Sequence, residues 1–312
     1  MRLLLLSDAN SVHTQKWAFS LQKDGLNLHV FSLIKPTNAS QEKYDRLGIS
    51  VSSADLESKV RDFRTPNMSK LIYLSAILQL KKNIKKFEPQ LIHAHYASSY
   101  GFLGYLTGFH PFVLSAWGSD ILDFPHRNRI NKWLLKKVIY SADQICSTSK
   151  VMSYSISKMT SHNHIKTIPF GVDTQRFIPP AEQAKDFIVG TIKSIEAHNG
   201  INCLLDAAHI VIHKFGMDQI KFIIVGKGTH KDQMVEKCKK LNLQNHVQFA
   251  GHVPHEFIVD WFQRLSIFIA VSTRESFGVS VLEAAACGIP AITSNVGGLP
   301  EVNKHDETGI VI

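Results

Sequence analysis

The 312-residue sequence has few cysteines and no long apolar run, and both shortages narrow the class of protein. Its four cysteines lie far apart and form no Cys-x-x-Cys pair. This argues against a disulfide scaffold and a zinc ribbon, and it favours a reducing compartment. Apolar runs such as 267–271 are far shorter than the roughly 20 residues that span a bilayer. The sequence therefore predicts a globular protein without a transmembrane helix.

The leucine-rich start of the chain has neither the apolar length nor the small-residue cleavage site of a signal peptide. Leu3–Leu6 are followed directly by the polar pair Ser7 and Asp8. We interpret this segment as a buried β-strand, and we therefore expect a cytoplasmic protein.

Acidic residues are scarce in the first half of the chain. The part up to Arg176 has 23 Lys and Arg against 12 Asp and Glu, a surplus of 11 positive charges, whereas the remainder has a net charge of −2. Basic clusters at 81–86 and 132–137 indicate either a solvated helix face or attraction to an anionic membrane or phosphorylated acceptor. We do not expect a nucleic-acid partner, because there is no recognition-helix signature or aromatic stacking platform.

Short apolar segments alternate with helix-like segments along the whole chain, which is typical of parallel strands covered by helices on both faces. The predicted strands are Leu3–Leu6, His29–Ser32, Leu91–Ala94, Phe112–Ser115, Gln144–Ser147, Lys166–Pro169, Phe187–Thr191, Lys221–Val225, Val247–Ala250, Ile267–Val271, Ala291–Thr293 and Gly309–Ile312. This alternation predicts an α/β fold of two doubly wound, Rossmann-like domains.

A proline-containing segment at 177–180 interrupts the alternation and serves as a predicted linker. It divides the chain into domains of residues 1–175 and 176–312. The last predicted strand ends with the sequence, so it is either a terminal edge strand or the end of a C-terminally truncated protein.

Two glutamates flank the predicted start of a helix near Gly278. Glu275 and Glu283 are eight residues apart, which corresponds to roughly 10–12 Å along a helix axis. The helix N-terminus between them offers backbone N–H groups and partial positive charge, which suit a diphosphate. The carboxylates would then bind hydroxyls at the two ends of one extended ligand. The alternative is that both acids are ordinary helix residues.

Several motifs in this half occur together: Glu275-Ser-Phe-Gly278, Leu282-Glu-Ala284, Cys287-Gly-Ile-Pro-Ala-Ile292, Gly297-Gly-Leu-Pro-Glu301, Phe170-Gly-Val-Asp173, Val225-Gly-Lys-Gly228 and Phe249-Ala-Gly-His-Val253. Over about residues 165–302 they resemble the family-4 retaining glycosyltransferases of the GT-B fold. The resemblance continues more weakly through the first half, in His93-Ala-His95 and Ser115-Ala-Trp-Gly-Ser-Asp120. It implies two Rossmann-like domains facing across a cleft, the first binding the acceptor and the second the nucleotide-sugar.

The resemblance implies roles for residues of the second domain. Glu275 would hold hydroxyls of the donor hexose and act in catalysis, while Glu283 would hold the ribose hydroxyls. The backbone at Phe277, Gly278 and Val279 would face the diphosphate.

The family also clamps the diphosphate with two basic residues after the first strand of this domain. Lys193 stands in the place of the first, usually Arg, and Asn199 in the place of the second, usually Lys. Because Asn has no charge, Lys227 is a further candidate donor-binding residue. The alternative for Lys193 is an ordinary surface lysine.

In the first domain, Trp117 stands where the family often has a histidine beside the reacting sugar. Trp117 could stack on a sugar face with Asp120 as its polar catalytic partner; alternatively, Trp117 packs in a wall and Asp120 caps a turn. His13, Lys16 and His95 are the candidate acceptor-side residues, with solvated loop positions as the alternative for His13 and Lys16.

A metal site is not predicted. His93 and His95 lack a third ligand at a recognisable spacing, and no Asp-x-Asp motif occurs. We expect no separate cofactor, and the resemblance implies a UDP- or GDP-sugar donor as substrate.

The predicted function is transfer of a hexose, with retention of configuration, to a glycan or lipid-linked acceptor in polysaccharide or glycolipid biosynthesis. The basic first domain would bind the inner membrane surface peripherally. Two alternatives stay open: a catalytically impaired sugar-nucleotide-binding subunit, and a sugar-nucleotide epimerase, which the lack of a convincing acid/base set disfavours.

Overall fold

The computed structural model describes residues 1–56, 69–161, 164–182 and 186–312 of the chain, with the side chains of 69–74 excepted. The described residues form two compact units, Met1–Ile168 and Pro169–Ile312, and each unit is described by itself.

The first unit contains a parallel sheet whose seven described strands follow the order β3-β2-β1-β4-β5-β6-β7. These strands are β1 Arg2–Leu6, β2 Asn27–Ser32, β3 Ser50–Ser53, β4 Leu91–His95, β5 Phe112–Ala116, β6 Gln144–Ser147 and β7 Ile165–Thr167. The described α-helices are Val12–Lys23, Asn38–Asp45, Ser69–Phe87, Gly101–Thr107, Ser119–Leu122, Arg129–Ser141 and Lys150–Ser157.

Strand β1 shows how the leucine run builds this unit. Leu4 and Leu6 pack into one hydrophobic cluster, and Leu3 and Leu5 pack into another. Because successive side chains of a strand point to opposite faces, the run supplies a core on each side of the sheet. This is why the segment is apolar at every position rather than at alternate ones.

The second unit contains a parallel sheet whose six described strands follow the order β10-β9-β8-β11-β12-β13. They are β8 Ile188–Ile192, β9 Lys221–Val225, β10 Val247–Gly251, β11 Ile267–Ala270, β12 Ala291–Thr293 and β13 Gly309–Val311. The described α-helices are Ile201–His209, Lys231–Lys240, Ile258–Phe262, Val279–Ala286 and Leu299–Val302. Two cores again cover the two faces, with Ile223 and Val225 of β9 in one and Phe222 and Ile224 in the other.

The predicted doubly wound α/β fold is confirmed. The strand Ser50–Ser53 and the helix Asn38–Asp45 were not predicted from the sequence. The strand escaped because Val51 is its only apolar residue, and it pairs with β2 at the edge of the sheet. The helix has little apolar periodicity and starts at a Thr37 cap, whose hydroxyl accepts the Ser40 N–H.

Two helical segments combine an α-helix with a π-helix. A π-helical segment, Tyr96–Tyr100, precedes Gly101–Thr107, and another, Ile210–Lys214, follows Ile201–His209. Short 3₁₀ turns lie at Phe124–His126, Ala197–Asn199 and His255–Phe257. Throughout the described ranges, none of the helices is both long and apolar enough to cross a bilayer.

Each sheet reverses its strand order once, between β1 and β4 in the first unit and between β8 and β11 in the second. In open α/β sheets, ligands bind outside the carboxyl ends of the strands at such a reversal. A ligand-binding site is therefore expected at the loops that follow these four strands.

Candidate active site

A lysine and a glutamate meet at the strand reversal of the second unit. Lys193 follows β8, and its ammonium contacts the Glu275 carboxylate and donates to Ser272 Oγ at 2.8 Å. Ser272 and Glu275 both follow β11. The two charged side chains are only 10% and 18% exposed, so the pair is largely shielded from solvent and from screening salt.

The Glu275 backbone rests directly on the glycine pair of the Gly-Gly-Leu-Pro-Glu motif. The Gly298 N–H donates to the Glu275 carbonyl at 3.1 Å. A Cβ atom added at Gly297 would lie 1.8 Å from that same carbonyl oxygen, so no side chain fits there. The glycine pair therefore fixes the position of Glu275.

The Lys193 loop is held in a similar way by the Gly-Lys-Gly loop. The N–H groups of Lys193 and Ile195 donate to the carbonyls of Val225 and Lys227, each at 3.0 Å. A Cβ atom at Gly226 would lie 1.9 Å from the Lys193 carbonyl oxygen. The Lys227 side chain itself is exposed beside this loop.

Asn199, in the place of the family's second basic residue, is buried. Its amide Nδ2 donates to the Ser194 carbonyl and to Ser194 Oγ, both at 2.8 Å. The side chain thus orders the loop next to Lys193. Direct donor binding by Asn199 stays a prediction.

The helix that was predicted to begin near Gly278 runs from Val279 to Ala286. Gly278 is its N-cap residue with φ +105°, and no side chain caps this helix start. The first-turn N–H groups of an α-helix have no intrahelical partner, so this N-terminus can bind an anion. Phe277 is buried, with its ring 6.2 Å from the ring of Phe170.

Glu283 lies further along that helix and has a different partner from Glu275. It is 6% exposed, and its Oε1 lies 3.3 Å from His255 Nε2. Burial and the nearby Glu283 charge raise the pKa of Cys287 to about 11, which keeps this thiol protonated. The two glutamates flagged from the sequence thus occupy distinct environments.

In the first unit, the strand reversal is surrounded by aromatic rings. The Trp117 ring lies 4.4 Å from His95 and 5.8 Å from His13, measured between centroids. Trp17 approaches His93 and His95 at 5.5 and 5.7 Å. The structure thus brings Trp117 together with His13 and His95, two of the three predicted acceptor-side residues. It adds Trp17, which the sequence did not suggest, and His93, which was considered only as a metal ligand. Lys16 lies on the same helix as His13.

Two histidines of this cluster, His93 and His95, are buried and neutral at pH 7. Burial lowers the pKa of His93 to about 4, and His93 Nε2 contacts Ser115 Oγ at 2.8 Å. Burial, with His93 and His13 nearby, holds the pKa of His95 well below 6.5. His95 Nδ1 contacts Ser7 Oγ at 3.1 Å, whereas its buried Nε2 has no hydrogen-bond partner among the described residues.

Asp120 is fully buried and binds backbone rather than facing solvent. Its carboxylate accepts from the N–H groups of Ala97 and Gly118, each at 2.7 Å, and from Trp117 at 3.2 Å. Burial raises its pKa, although these hydrogen bonds oppose the shift. The geometry matches the turn-capping alternative, and a direct catalytic role for Asp120 stays a prediction.

Tyr96 has an unusual backbone conformation next to this carboxylate. Its φ of +72° places a bulky residue in the left-handed region, which costs on the order of 1–3 kcal/mol. Its hydroxyl contacts Ser119 Oγ, and its neighbour Ala97 donates to Asp120. The loops after β4 and β5 therefore hold each other, and such strain with a π-helical turn is typical of functional sites.

No group of three potential ligands among His, Cys, Asp and Glu is gathered for a metal ion anywhere in the described part of the chain. Five residues at these two places were not predicted from the sequence: Ser272, His255, Arg176, Tyr96 and Trp17. Ser272 could have been found from its place directly after β11. The others are distant in sequence from the groups that they contact.

Comparison with known proteins agrees with this arrangement. The profile described as "Glycosyl transferases group 1" matches residues 173–312, and the profile described as "Glycosyl transferase 4-like" matches residues 2–149. The chain belongs to these glycosyltransferase families. The family prediction made from the motifs is therefore confirmed.

Curated relatives of this glycosyltransferase differ in how much of the chain they match. The 2-deoxystreptamine N-acetyl-D-glucosaminyltransferase of Niallia circulans is 32% identical over 117 residues, covering 38% of this chain and 30% of the relative. The gpi3 subunit of phosphatidylinositol N-acetylglucosaminyltransferase of Schizosaccharomyces pombe is 23% identical over 315 residues, covering 91% of this chain and 66% of the relative. The chain thus spans less than two thirds of the length of each.

Solved structures match the whole chain and establish the GT-B fold. Anabaena Alr3699/HepE, in complex with UDP and glucose, has a TM-score of 0.80 at 18% identity and matches over 100% of this chain and 85% of its own. The sucrose-phosphate synthase of Thermosynechococcus elongatus has a TM-score of 0.79 at 18% identity, over 100% and 86% of the two chains.

Proposed function

We propose that this glycosyltransferase moves a hexose from a UDP- or GDP-sugar to a hydroxyl of a glycan or lipid-linked acceptor, with retention of configuration. The observation that carries the proposal is the contact of Lys193 with Glu275 and Ser272 at the strand reversal of the second unit. Lys193 and Glu275 place a cation and an anion at the carboxyl ends of these strands, where ligands bind in open α/β sheets. A donor with an anionic diphosphate and a hydroxyl-bearing sugar has groups for both.

Binding of the donor is assigned to residues 176–312. Lys193 and the backbone at Phe277, Gly278 and Val279 would bind the diphosphate, with the exposed Lys227 as a second cation. Glu275 would accept hydrogen bonds from the hexose hydroxyls and Glu283 from the ribose hydroxyls.

Binding of the acceptor is assigned to residues 1–175. The partly exposed Trp117 ring offers a stacking surface, and His13, Lys16 and His95 surround it or lie on its neighbouring helix. Asp120 would act by holding the backbone of the Trp117 loop.

The chemistry would proceed by attack on the same face that the leaving group departs from. Neither glutamate of the proposed donor site is placed to attack the sugar as a nucleophile, because Glu275 contacts Lys193 and Glu283 contacts His255. The acceptor oxygen bonds to the anomeric carbon as the bond to the diphosphate breaks, and the leaving diphosphate takes the acceptor proton. Lys193 and the helix N-terminus would stabilise the developing negative charge without a metal ion.

A thermal-shift panel with UDP-, GDP-, ADP- and CMP-sugars tests the proposal, because a ligand that binds the folded state raises the unfolding temperature. We expect a rise with a UDP- or GDP-sugar, and product formation when that sugar is incubated with a glycan or lipid-linked acceptor. If no sugar nucleotide raises the unfolding temperature, the proposal is wrong.

A sugar-nucleotide-binding subunit without activity is the second candidate. The observation in its favour is that Asn199, which stands in the place of a basic residue, is uncharged and donates its amide hydrogen bond to Ser194. Measuring hydrolysis of the sugar nucleotide in the absence of acceptor distinguishes an active transferase from an inactive binding subunit. Binding without any hydrolysis or transfer favours the subunit, and slow hydrolysis favours the enzyme.

We also propose peripheral attachment to the inner face of a membrane through the first unit. On the helix Arg129–Ser141, one face is basic and apolar; we define this Trp133 face as the exposed residues Arg129, Ile130, Lys132, Trp133 and Lys137. Ile130 and Trp133 are 60% and 59% exposed. The helix itself contains no acidic residue, so none of its own charges opposes an anionic lipid surface.

The second basic cluster has a different character. Lys81, Lys82, Lys85 and Lys86 are exposed, but Ile84 and Phe87 pack against the hydrophobic core of the unit. Ile84 and Phe87 therefore offer little apolar surface to a membrane. This cluster would act through charge alone.

A further inference from the structure

Three side chains of the second unit form a continuous hydrogen-bonded series that ends on a proposed donor-binding group. Arg176 Nη1 lies 3.0 Å from His255 Nδ1, and its other terminal nitrogen donates to the His255 carbonyl oxygen. On the far side of the imidazole ring, His255 Nε2 lies 3.3 Å from Glu283 Oε1.

The hydrogen-bonding capacity of these groups fixes the direction of the series. A guanidinium only donates, so His255 Nδ1 must accept, and the proton of the neutral ring lies on Nε2. Nε2 then donates to the Glu283 carboxylate, which only accepts when ionised. Arg176 therefore selects the tautomer of His255, and His255 in that tautomer orients Glu283.

The Arg176 side chain is itself well anchored. Asp173 Oδ1 accepts from the Gln175 and Arg176 N–H groups at 3.1 and 3.3 Å, and the Asp173 carbonyl accepts from Phe177 at 2.8 Å. The guanidinium lies 5.2 Å above the buried Phe177 ring, which in turn lies 5.9 Å from the His255 ring. The segment that carries Arg176 is thus fixed against the core.

A neutral partner has a consequence for the charge of Glu283. A buried carboxylate needs hydrogen bonds. An ammonium partner supplies them but also balances the negative charge, as Lys193 does for Glu275. A neutral imidazole instead orients Glu283 through a hydrogen bond without itself cancelling the charge of the carboxylate. A carboxylate in that state suits a vicinal diol, which donates two O–H groups and has no charge.

We infer that Arg176 and His255 are positioning residues that set the orientation of Glu283 for the ribose diol of the donor nucleotide. This inference rests on the proposed function. It adds two residues that contact no donor group themselves but determine how strongly Glu283 discriminates ribose from deoxyribose.

The test compares UDP with 2′-deoxy-UDP by calorimetry on the full chain. We expect wild type to bind UDP about tenfold more tightly than 2′-deoxy-UDP, because a hydrogen bond to a charged group is lost. The variant His255→Phe keeps the ring beside Phe177 but cannot donate, so it should lose that preference. His255→Gln places a donor near the position of Nε2 and should restore most of it.

His252→Phe is the matched control, since His252 is exposed three residues earlier and should leave the preference unchanged. Arg176→Met keeps packing over Phe177 without donors and should lower the preference in part. Its effect stays measurable if His255→Phe proves too unstable to purify. In transfer assays, His255→Phe should raise the donor KM more than it lowers kcat.

Three outcomes are decisive. If His255→Phe or Arg176→Met keeps the wild-type preference for UDP, the positioning inference is wrong and the proposed function stands. If ¹⁵N NMR of the imidazole places the proton on Nδ1, the assigned tautomer is wrong. If wild type binds no nucleoside diphosphate of uracil or guanine, the proposed function itself fails, and the inference with it.

Discussion

The ammonium of Lys193 and the carboxylate of Glu275, 82 residues apart in the sequence, are in direct contact. Ser272 Oγ accepts a second hydrogen bond from the same ammonium. In the proposed donor complex, the diphosphate would attract Lys193 and the hexose hydroxyls would bind Glu275. A whole donor therefore replaces both sides of this ion pair, whereas a nucleoside diphosphate replaces only one.

This relationship predicts opposite effects of Glu275→Gln on two ligands. Transfer should fall by about 10²-fold or more, because a charged contact to the sugar is removed at the transition state. Free UDP should bind at least as tightly as to wild type, because Lys193 no longer has an anionic competitor. Kinetics and calorimetry check both; turnover within about threefold of wild type contradicts the role of Glu275.

Lys193→Ala should weaken binding of the nucleoside diphosphate about tenfold and raise the donor KM, because an ammonium–phosphate contact is lost. Lys193→Arg should retain most of the affinity. Lys227→Ala is the comparison, since Lys227 lies on the adjoining loop. If calorimetry shows that Lys193→Ala leaves the Kd unchanged and Lys227→Ala raises it, the phosphate contact belongs to Lys227.

Gly297→Ala should abolish transfer, because its Cβ would lie 1.8 Å from the Glu275 carbonyl oxygen. Gly216→Ala is a matched control: its φ of +66° is close to the +57° of Gly297, but nothing lies within 4 Å of the added atom. Both variants should lose about 1–2 kcal/mol of stability from the left-handed backbone, and Gly297→Ala should lose more because of the overlap with Glu275. Only Gly297→Ala should lose activity as well; equal activity of the two variants contradicts the support of Glu275.

The first unit should lose stability as the pH falls from about 6.5 to about 4. Burial lowers the pKa of His93 and, with Lys86 nearby, that of His29 from 6.5 to about 4 in the folded state. Below pH 6.5 the unfolded chain therefore binds more protons than the folded chain. The free energy of unfolding consequently decreases as the pH falls. Denaturant unfolding at several pH values measures the slope.

His29→Gln provides the control for that slope. His29 bridges Ser50 and Ser52 at the sheet edge, and it is half-buried and more accessible than His93. Removing one titrating group should flatten the pH dependence between 6.5 and 4. An unchanged slope would assign the effect to other groups.

Anionic liposomes should retain the protein at low salt and release it as salt rises, because exposed basic residues contribute roughly 1 kcal/mol each, screened within a Debye length. Changing Lys81, Lys82, Lys85 and Lys86 to Glu should weaken retention. Trp133→Ser should weaken it at every salt concentration, since the Trp133 face adds apolar contact. Phe215→Ser, at an aromatic residue 65% exposed in the second unit, should have no effect. No retention at low salt contradicts the proposal.

The fold was largely predictable because apolar runs such as Leu3–Leu6 carry their own signal for buried parallel strands. The helix start at Gly278 was predictable from a local motif. The edge strand Ser50–Ser53 was not, since a mostly polar strand at an edge depends on pairing rather than on burial.

The residues proposed to bind the donor could be named one at a time from the sequence, but their contacts with one another could not. The contact of Lys193 with Glu275 and the series from Arg176 to Glu283 join residues far apart in the chain, and no periodicity links them. Likewise, the sequence Trp-Gly-Ser-Asp suits either a sugar contact or a turn cap. Only the burial of Asp120 shows that its oxygens bind backbone N–H groups.

The backbone contacts at Gly226 and Gly297 also indicate where directed evolution could alter donor choice. At both positions a neighbouring loop passes so close that no larger residue fits, so random substitution there yields mostly inactive clones. Lys227 lies on the Gly226 loop and Ser194 on the Lys193 loop that packs against it, and both side chains are exposed. A library that diversifies these two positions and keeps both glycines would sample new donor contacts while preserving the frame that holds Lys193 against Glu275.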